Sequence, residues 1–396
     1  PAGLTAAMTS QQRLDLIRFL SELGRDGRPL SEDLQQAIAH SQVHGPIEFP
    51  YTKEPMALGH WFNASLPVNR DRLYDFYAKQ AEYFRDQHHK PMLIAQFPGL
   101  DGGQQGHWGN QNEAVWADGR WNEADLGSVL GGVFSGNGKT VARAVCVRLG
   151  DNGELSACFN PDTLTYDAIW SGGFVNFDSV RHGFVSGVRM AGTPVAMEKQ
   201  SPPEKEFKYH GFYRHGNRVV FAYRIGDVEY LDSPWVTDGK FERNMAPADQ
   251  HPLRKLTTGG PAQWSLVVDT KITPGTGRPY AIDTIALPYE NPWKAPMFCG
   301  DHDFLPDGSA LVCTMQGDVW HVSGLDAAPD QPAVAHWRRF ASGLHHALGL
   351  VVADGKIYVQ CRDQLTRLTD LNNDGEADFY ECFSNAFITS PAGHDF

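Results

Sequence analysis

An acidic run near the end of the chain has the residue types and spacing of a calcium-binding loop. Residues 370–381 read D-L-N-N-D-G-E-A-D-F-Y-E. A loop of this kind offers Ca²⁺ oxygen ligands from positions 1, 3, 5, 7, 9 and 12, with Gly at position 6, where the turn is sharpest. The predicted ligands are Asp370, Asn372, Asp374, the backbone carbonyl of Glu376, Asp378 and a bidentate Glu381. Because the flanking residues have strand character, we predict a structural calcium site in a β-loop; a solvated acidic turn is the alternative.

Histidines that recur at similar positions predict a second site. His302 and His394 each begin an H-D-F tripeptide, and His346 begins the related run H-A-L-G-L-V-V-A-D-G-K-I-Y-V. An imidazole can act as a general base or as a ligand, and an arginine can pair with a carboxylate of a quinone or an acidic sugar. The predicted catalytic residues are therefore His302, His346, His394, Asp303 and Arg362, joined by Asp301 and Asp363. The alternative is a structural network in which these histidines bond to backbone groups.

A third candidate is the segment 107–122, which reads H-W-G-N-Q-N-E-A-V-W-A-D-G-R-W-N. Indole rings offer flat apolar faces to sugar rings, and polar side chains bond to their hydroxyls. The predicted substrate-binding residues are Trp108, Trp116, Trp121, Glu113, Asp118 and Arg120. Glu113 and Asp118 also have the residue types of an acid/base pair in glycoside hydrolysis. The alternative is that the tryptophans fill the core.

The composition limits the kind of protein that positions these residues. The chain has 396 residues with 40 Gly, 25 Pro and 10 Trp, which is typical of a β-rich protein with many turns and several domains. Its net charge of −13 argues against nucleic-acid binding, because phosphates are bound by clustered Lys and Arg. The sequence also has no apolar run of the ~18 residues that a membrane span needs.

The six cysteines fall into three near-neighbour pairs along the chain. The pairs are Cys146 with Cys158, Cys299 with Cys313, and Cys361 with Cys382. A hairpin in each interval would bring the sulfurs together, and an even count beside a calcium loop indicates disulfides and a periplasmic or extracellular location. Six buried thiols are the alternative. The sequence contains no C-x-x-C pair, so a zinc ribbon, a redox motif and covalent haem have no support.

Two regions precede the repeats, and we expect a mainly β protein with N-terminal helices. Residues 1–45 form helices, the first of which opens with a capping box at Thr9 and Gln12. Residues 46–290 form a β-sandwich-like middle domain with one long helix from Asn69 to about Gln87. Its predicted strands include 140–149, 217–225 and 262–269.

Residues 291–396 show a repeat that is typical of propeller blades. His302, His346 and His394 recur at intervals of 44 and 48 residues, and the first two are followed by a D-G turn and a strand. A period in the forties that is built from strands indicates a β-propeller. The segment has room for about two units, whereas a closed ring needs about four or more blades. We therefore expect the first blades of a propeller, in a chain that is a fragment of a longer protein.

Several segments carry a resemblance to a known family. They are N-R-D-R-L-Y-D-F-Y-A-K-Q-A at 69–81, P-G-L-D-G-G-Q-Q-G-H-W-G-N-Q-N-E at 98–113, G-E-L-S-A-C-F-N-P-D-T-L at 153–164, G-D-V-W-H-V-S-G-L-D at 317–326 and R-D-Q-L-T-R-L-T-D-L-N-N-D-G-E-A-D at 362–378. Over nearly its whole length the chain resembles secreted multidomain proteins of planctomycetes and their relatives, which are described as membrane-bound dehydrogenases with a c-type haem domain. Its first residues are similar to the end of a cytochrome c domain.

The resemblance implies a propeller like that of the sugar dehydrogenases that use pyrroloquinoline quinone, with a His as base. It implies an enzyme that oxidises a carbohydrate or alcohol and passes electrons to a cytochrome c domain or protein. The sequence has no C-x-x-C-H motif, so we expect no covalent haem in this chain, and we expect the fragment alone to be inactive. The alternative function is a non-catalytic carbohydrate-binding or scaffolding module.

Overall fold

The computed structural model describes residues 9, 11–12, 119–177, 187–249, 252–275, 281–326 and 333–389. The chain divides into two compact units, residues 1–98 and 99–396, and the described strands belong to the second. At Thr9 and Gln12, each backbone N–H donates to the side chain of the other residue, at 2.9 and 3.2 Å, which confirms the capping box. The helix predicted at 69–87 lies outside the described residues.

The described residues contain 21 β-strands and two short 3-10 helices, η1 (Arg120–Glu123) and η2 (Pro252–Thr257). The strands are β1 (Val129–Gly136), β2 (Lys139–Leu149), β3 (Leu155–Asn160), β4 (Thr165–Ser171), β5 (Val175–Phe177), β6 (Val188–Met190), β7 (Thr193–Pro194), β8 (Phe207–His215), β9 (Arg218–Ile225), β10 (Val228–Thr237), β11 (Lys240–Pro247), β12 (Val267–Thr273), β13 (Thr284–Ile285), β14 (Cys299–Phe304), β15 (Ala310–Thr314), β16 (Val319–Ser323), β17 (Val334–Ala341), β18 (Gly349–Ala353), β19 (Lys356–Gln360), β20 (Leu365–Thr369) and β21 (Phe379–Ser384). None of the helices in this described part is long and apolar enough to span a membrane.

The strands form three sheets, which confirms the mainly β class. The first sheet has the order β5-β6-β1-β2-β3-β4-β7, the second β11-β10-β9-β8-β21-β20-β19-β18, and the third β13-β12-β17-β16-β15-β14. Strands β2 and β9 confirm the strands predicted at 140–149 and 217–225. The third predicted strand is misplaced, because regular pairing begins only at Val267 and Trp264 lies in an irregular segment before it.

Short turns with the expected chemistry connect many of the hairpins. Asn137-Gly138 joins β1 to β2 and Asp354-Gly355 joins β18 to β19. All four residues have positive φ, between 49° and 72°. A two-residue type I′ turn requires this conformation, and its twist matches that of the flanking strands. These local signals explain why the hairpins could be predicted from the sequence.

The propeller expected for residues 291–396 is not seen among the described strands. Strands β14 to β17 and β18 to β21 do form two consecutive four-stranded antiparallel meanders, which accounts for the repeat. However, β21 pairs with β8, and β17 pairs with β12, so each meander continues into a sheet of the preceding region. Strand pairing therefore crosses the predicted boundary between residues 290 and 291. The repeat encodes local hairpins, and it does not encode these long-range pairs.

Aromatic side chains hold the three sheets together. Phe159 of the first sheet stacks on Phe221 of the second, with 3.9 Å between ring centroids. The same hydrophobic cluster includes Leu311 of the third sheet and Tyr380 of the second. Burying one large apolar side chain contributes roughly 1.5–3 kcal/mol, so this cluster fixes the relative positions of the sheets. A second cluster gathers the buried rings of Trp264, Trp293, Trp320 and Trp337 beside the third sheet.

The cysteines of the predicted pairs lie on or beside neighbouring strands. Cys146 and Cys158 face each other across β2 and β3, and Cys299 and Cys313 lie on the paired strands β14 and β15. In the third pair, Cys361 precedes β20 and Cys382 lies on β21 (Cys361 within 3.8 Å of the Thr366 hydroxyl). All six are free thiols, and only Cys299 is exposed.

Candidate binding site

A polar cavity of about 210 Å³ opens at the meeting point of the first and second sheets. We call it the polar cavity. Its lining residues come from the segment before β1, the end of β2, the β2–β3 turn, the β8–β9 turn and the segment before β12: Asp125, Gly127, Ser128, Arg148, Gly150, Asp151, Asn152, Gly153, Asn217 and Gln263. The lining therefore combines carboxylates, amides, a guanidinium group and a hydroxyl.

A buried ion pair between Glu376 and Arg214 holds Gln263, one of the lining residues, in place. Glu376 is only 1% exposed, and its Oε2 accepts hydrogen bonds from the backbone N–H groups of Gln263 and Trp264, at 2.7 and 2.8 Å. Its other carboxylate oxygen pairs with Arg214, which is also buried. Arg214 Nη1 in turn donates to Gln263 Oε1 at 2.7 Å. With one lone pair of Oε1 engaged by Arg214, the side chain of Gln263 still offers its NH₂ donors and the second lone pair of Oε1 to a ligand.

A second buried ion pair supports the cavity at Asp125. Arg339 donates from Nη2 to Asp318 Oδ1 at 2.7 Å and from Nη1 to the carbonyl of Asp125 at 2.8 Å. Its guanidinium carbon lies 4.2 Å from the centre of the Trp264 ring. Burial raises the pKa of Asp318, and the positive charge of Arg339 opposes that effect. The pair thus holds the carbonyl of Asp125 and the Trp264 ring in fixed positions.

The rim of the cavity is shaped by tight turns. Gly150 and Gly153 adopt positive φ, 87° and 73°, in the β2–β3 turn. Ser128 is buried, and its hydroxyl has no hydrogen-bond partner among the described residues. A buried hydroxyl without a partner is costly unless a ligand or water satisfies it. The cavity is therefore a preformed site with both donors and acceptors on fixed supports.

The acidic loop adopts the turn that its sequence predicts. Gly375 has φ 85° and donates from its backbone to Asp370 Oδ2 at 2.8 Å. Asn372 Oδ1 and Asp374 Oδ1 accept from the backbone N–H groups of Asp374 and Glu376, at 3.2 and 3.1 Å. Three of the predicted side-chain ligands, those of Asp370, Asn372 and Asp374, thus lie within one turn.

The side chains of the other two predicted ligands, Asp378 and Glu381, interact with groups outside the turn. Asp378 accepts from the backbone N–H groups of Gly260 and Leu371, each at 2.9 Å. Glu381 lies within β21, where it pairs with Arg367 of the neighbouring strand. Within the described ranges, the structure contains no group of three or more His, Cys, Asp or Glu side chains that could hold a metal. Calcium binding stays a prediction, with Asp370, Asn372, Asp374 and the Glu376 carbonyl as its remaining ligands.

Two of the predicted catalytic residues on β14, Asp301 and Asp303, accept hydrogen bonds from backbone groups. Asp301 Oδ2 accepts from the Leu350 backbone N–H at 3.0 Å, and Asp303 Oδ2 accepts from that of Val352 at 2.7 Å. Two carboxylates therefore join the edge strand β14 of the third sheet to the edge strand β18 of the second. The N–H groups of Val352 and Phe304 lower the pKa of Asp303. His302 lies between these aspartates and is exposed.

The other predicted catalytic residues lie in a different environment. His346 has φ 48° and is buried in the loop before β18, and Arg362 is buried beside it. The backbone N–H of Arg362 donates to the His345 carbonyl at 2.8 Å. His394 lies outside the described residues. His302 is thus exposed on a strand, whereas His346 is enclosed.

Next to His346 is a small pocket that contains Asp363, which was named with the predicted catalytic residues, and His345, which was not. This pocket of about 20 Å³, roughly the space of one water molecule, is lined among others by the buried residues His345, Asp363, Gln364, Thr366 and Tyr209, and we call it the closed pocket. Neither ring nitrogen of His345 nor Oδ1 of Asp363 has a hydrogen-bond partner among the described residues. Burial, followed by the nearby charges of His346, Arg362 and Arg143, holds the pKa of His345 well below its usual range. Burial also raises the pKa of Asp363 to about 7.

The predicted tryptophan platform is described only at its end. Trp121 is 7% exposed and packs against Phe298, with 5.5 Å between ring centroids, and against Phe177 and Met315. This environment is that of a core side chain. Arg120 begins η1. Trp108, Glu113, Trp116 and Asp118 lie outside the described residues.

Sequence reasoning also missed a buried polar network in the first and second sheets. Asp232 is fully buried and accepts from Tyr223 at 2.8 Å, from Tyr166 at 3.1 Å and from Arg243 at 2.7 and 2.9 Å. Burial raises the pKa of Asp232, and these partners oppose the effect. An acidic residue in the middle of β10, directly after Leu231, was the only local signal of this network.

One family model matches part of the chain. Residues 157–232 match a domain of unknown function, DUF6797. The matched segment runs from β3 into β10 and contains Tyr166, Tyr223 and Asp232 of the buried network. Of the polar cavity, it contains Asn217. The chain matches none of the curated proteins.

Proposed function

We propose that this chain provides a carbohydrate-binding module whose binding site is the polar cavity. The observation that carries the proposal is the lining of the cavity, which offers acceptors at Asp125 and Asp151 and donors at Arg148 and Asn217. Each sugar hydroxyl both donates and accepts a hydrogen bond, so its recognition needs both kinds of group at fixed positions. The buried ion pairs beneath the cavity favour binding, because less side-chain ordering is required when the ligand arrives.

The size of the cavity favours a single sugar ring. Pockets for drug-sized ligands have volumes of roughly 300–1,000 Å³. The polar cavity, at about 210 Å³, is smaller, and Asp151 and Asn152 of its lining are exposed to solvent. We therefore propose that it takes one monosaccharide unit, either free or at the end of a glycan.

A binding screen tests this proposal. We expect the wild-type chain to bind at least one glycan on an array and to bind the corresponding monosaccharide in calorimetry. Asp151→Ala combined with Asn217→Ala removes two exposed rim groups and should weaken binding at least tenfold. Asp354→Asn, in the exposed β18–β19 turn, is the matched control and should bind normally.

Two results would overturn the proposal. One is that the wild-type chain binds no glycan. The other is that the double variant binds as tightly as the wild type. If Trp108→Ala alone abolishes binding, the site belongs to the tryptophan segment and not to the polar cavity.

We also propose, as the wider setting, that the module is part of a secreted or periplasmic quinoprotein-like dehydrogenase acting on a carbohydrate or alcohol. The support is the resemblance and the two consecutive meanders β14–β17 and β18–β21. A c-type haem domain or protein would accept the electrons. Full-length protein supplied with pyrroloquinoline quinone and Ca²⁺ should then reduce a dye with some sugar; a full-length protein that stays inactive with every sugar would refute this setting.

The described residues do not form a cradle for the quinone. Among the candidates, His346 and Arg362 are buried, His302 is exposed on β14, and the Asp303 carboxylate is occupied by backbone N–H groups. We therefore assign no catalytic step to these residues. Ca²⁺ remains a proposed structural ion, bound by the acidic loop.

A further inference from the structure

We infer that Glu376 and Arg214 are positioning residues of the polar cavity, through which the acidic loop sets the affinity of the cavity for a sugar. This inference rests on the proposed function. Neither residue lines the cavity. Both act on Gln263, which does.

The acidic loop forms hydrogen bonds at both ends of the segment 260–264, which contains Gln263. At one end, Asn372 Nδ2 donates to the Gly260 carbonyl at 2.7 Å, and Asp378 Oδ1 accepts from the Gly260 N–H at 2.9 Å. At the other end, Glu376 accepts from the N–H groups of Gln263 and Trp264. The backbone of residues 260–264 is thus held by side chains more than 100 positions later in the sequence.

Charge makes this arrangement sensitive to Glu376. Arg214 is buried, and its guanidinium group contacts the Glu376 carboxylate, Gln263 Oε1 and the carbonyl of Ala377. Removing the charge of Glu376 leaves a buried cation with only neutral partners, which is unfavourable. We therefore expect the guanidinium group of Arg214 to shift. Gln263 would then lose the hydrogen bond that fixes which end of its side-chain amide faces the cavity.

The chain supplies a matched control for Glu376. Glu381 belongs to the same acidic run and also pairs with an arginine, Arg367. That pair lies between β20 and β21 and is partly exposed, and no hydrogen bond or ion pair joins Glu381 to the segment 260–264 among the described residues. Glu381→Gln therefore removes the same charge without the proposed effect.

The first test needs no ligand. The side-chain amide of Gln263 is followed by ¹H–¹⁵N NMR and identified by its loss in Gln263→Glu. Glu376→Gln and Arg214→Lys should each shift or broaden this signal, Glu376→Asp should restore it in part, and Glu381→Gln should leave it unchanged. Arg214→Lys keeps the positive charge opposite Glu376 but lacks the second guanidinium nitrogen that donates to Gln263. It therefore tests the positioning role if Glu376→Gln does not fold. An unchanged Gln263 signal in the folded variants would overturn the inference.

The second test measures binding of D-glucose, D-galactose and D-mannose separately. We expect Glu376→Gln to raise the Kd at least tenfold, and Glu381→Gln to change it less than twofold. If the wild type binds a sugar and Glu376→Gln binds it equally well, the positioning role is wrong and carbohydrate binding stands. If the wild type binds none of the three, that counts against the proposed function, and the Gln263 signal still decides the positioning role.

Discussion

The polar cavity and the closed pocket place charged groups in opposite situations. Beneath the polar cavity, each buried carboxylate has a buried arginine: Glu376 has Arg214, and Asp318 has Arg339. In the closed pocket, Asp363 Oδ1 and both ring nitrogens of His345 have no partner among the described residues.

The difference shows what each region can do. Paired and hydrogen-bonded charges hold neighbouring groups in one arrangement, which suits a surface site that must be ready for its ligand. Burial of His345 and Asp363 destabilises the charged form of each side chain and makes stability depend on pH. We therefore assign binding to the polar cavity, and we assign a pH-dependent stability cost to the closed pocket.

The largest expected effect comes from breaking a pair beneath the polar cavity. Arg214→Met leaves the Glu376 carboxylate buried without its counter-charge, and we expect the free energy of unfolding to fall by about 3–5 kcal/mol. Urea denaturation measures this loss. Arg367→Met, which removes the partner of the partly exposed Glu381, should cost less than about 1 kcal/mol. Equal losses in the two variants would contradict the difference in burial on which the comparison rests.

The second-largest expected effect is an increase in the free energy of unfolding, in the closed pocket. The folded-state pKa of Asp363 is raised to about 7, above its usual ~3.9, so the folded state holds the proton more tightly than the unfolded state. This cost to stability appears as the pH rises above about 4 and is complete above about 7. Asp363→Asn should therefore raise the free energy of unfolding by roughly 1–3 kcal/mol at pH 8.

The pH dependence separates this explanation from a general packing effect. At about pH 3, below both pKa values, Asp363→Asn and the wild type should unfold at nearly the same denaturant concentration, because the aspartate is then mainly protonated in both states. The exposed control Asp354→Asn should show no such dependence. A variant that is less stable than the wild type at pH 8 would contradict the assignment of the closed pocket.

A smaller effect is expected where carboxylates join β14 to β18. Asp303→Ala removes the acceptor of the Val352 N–H, so hydrogen exchange at Val352 should become several-fold faster, whereas His302→Ala should leave it unchanged. The lowered pKa of Asp303 gives stability that is present above the usual carboxyl pKa and is lost as the pH falls through the folded-state pKa. Unchanged exchange at Val352 would show that the carboxylate bridge is not formed.

The smallest expected effect is that of calcium. The turn at 370–375 is already closed by its own hydrogen bonds, so removing Ca²⁺ with EDTA should lower the melting temperature by only a few degrees. Asp370→Asn combined with Asp374→Asn should abolish this difference. An unchanged melt in EDTA, together with no Ca²⁺ in elemental analysis, would refute calcium binding.

Local features could be predicted from the sequence, and long-range ones could not. The capping box of Thr9 and Gln12 and the turn at Asp354-Gly355 depend on residues a few positions apart. By contrast, Glu376 reaches Gln263 across 113 positions, and no local pattern encodes that contact. The same limit explains why the propeller was wrongly predicted, because the repeat predicts hairpins and carries no information on the pairing between β21 and β8. Trp121 shows the same limit for sites, since its type fits both a sugar platform and the core.

The central claim is that the polar cavity binds a sugar, and a chemical-shift map tests it most directly. The isotope-labelled chain would be titrated with the tightest-binding monosaccharide from the array. We predict that the largest shifts occur at residues 125–128, 148–153, 217 and 263, and that His345 and Asp363 are unaffected. Shifts confined to other residues, or no shifts at saturating sugar, would contradict the account.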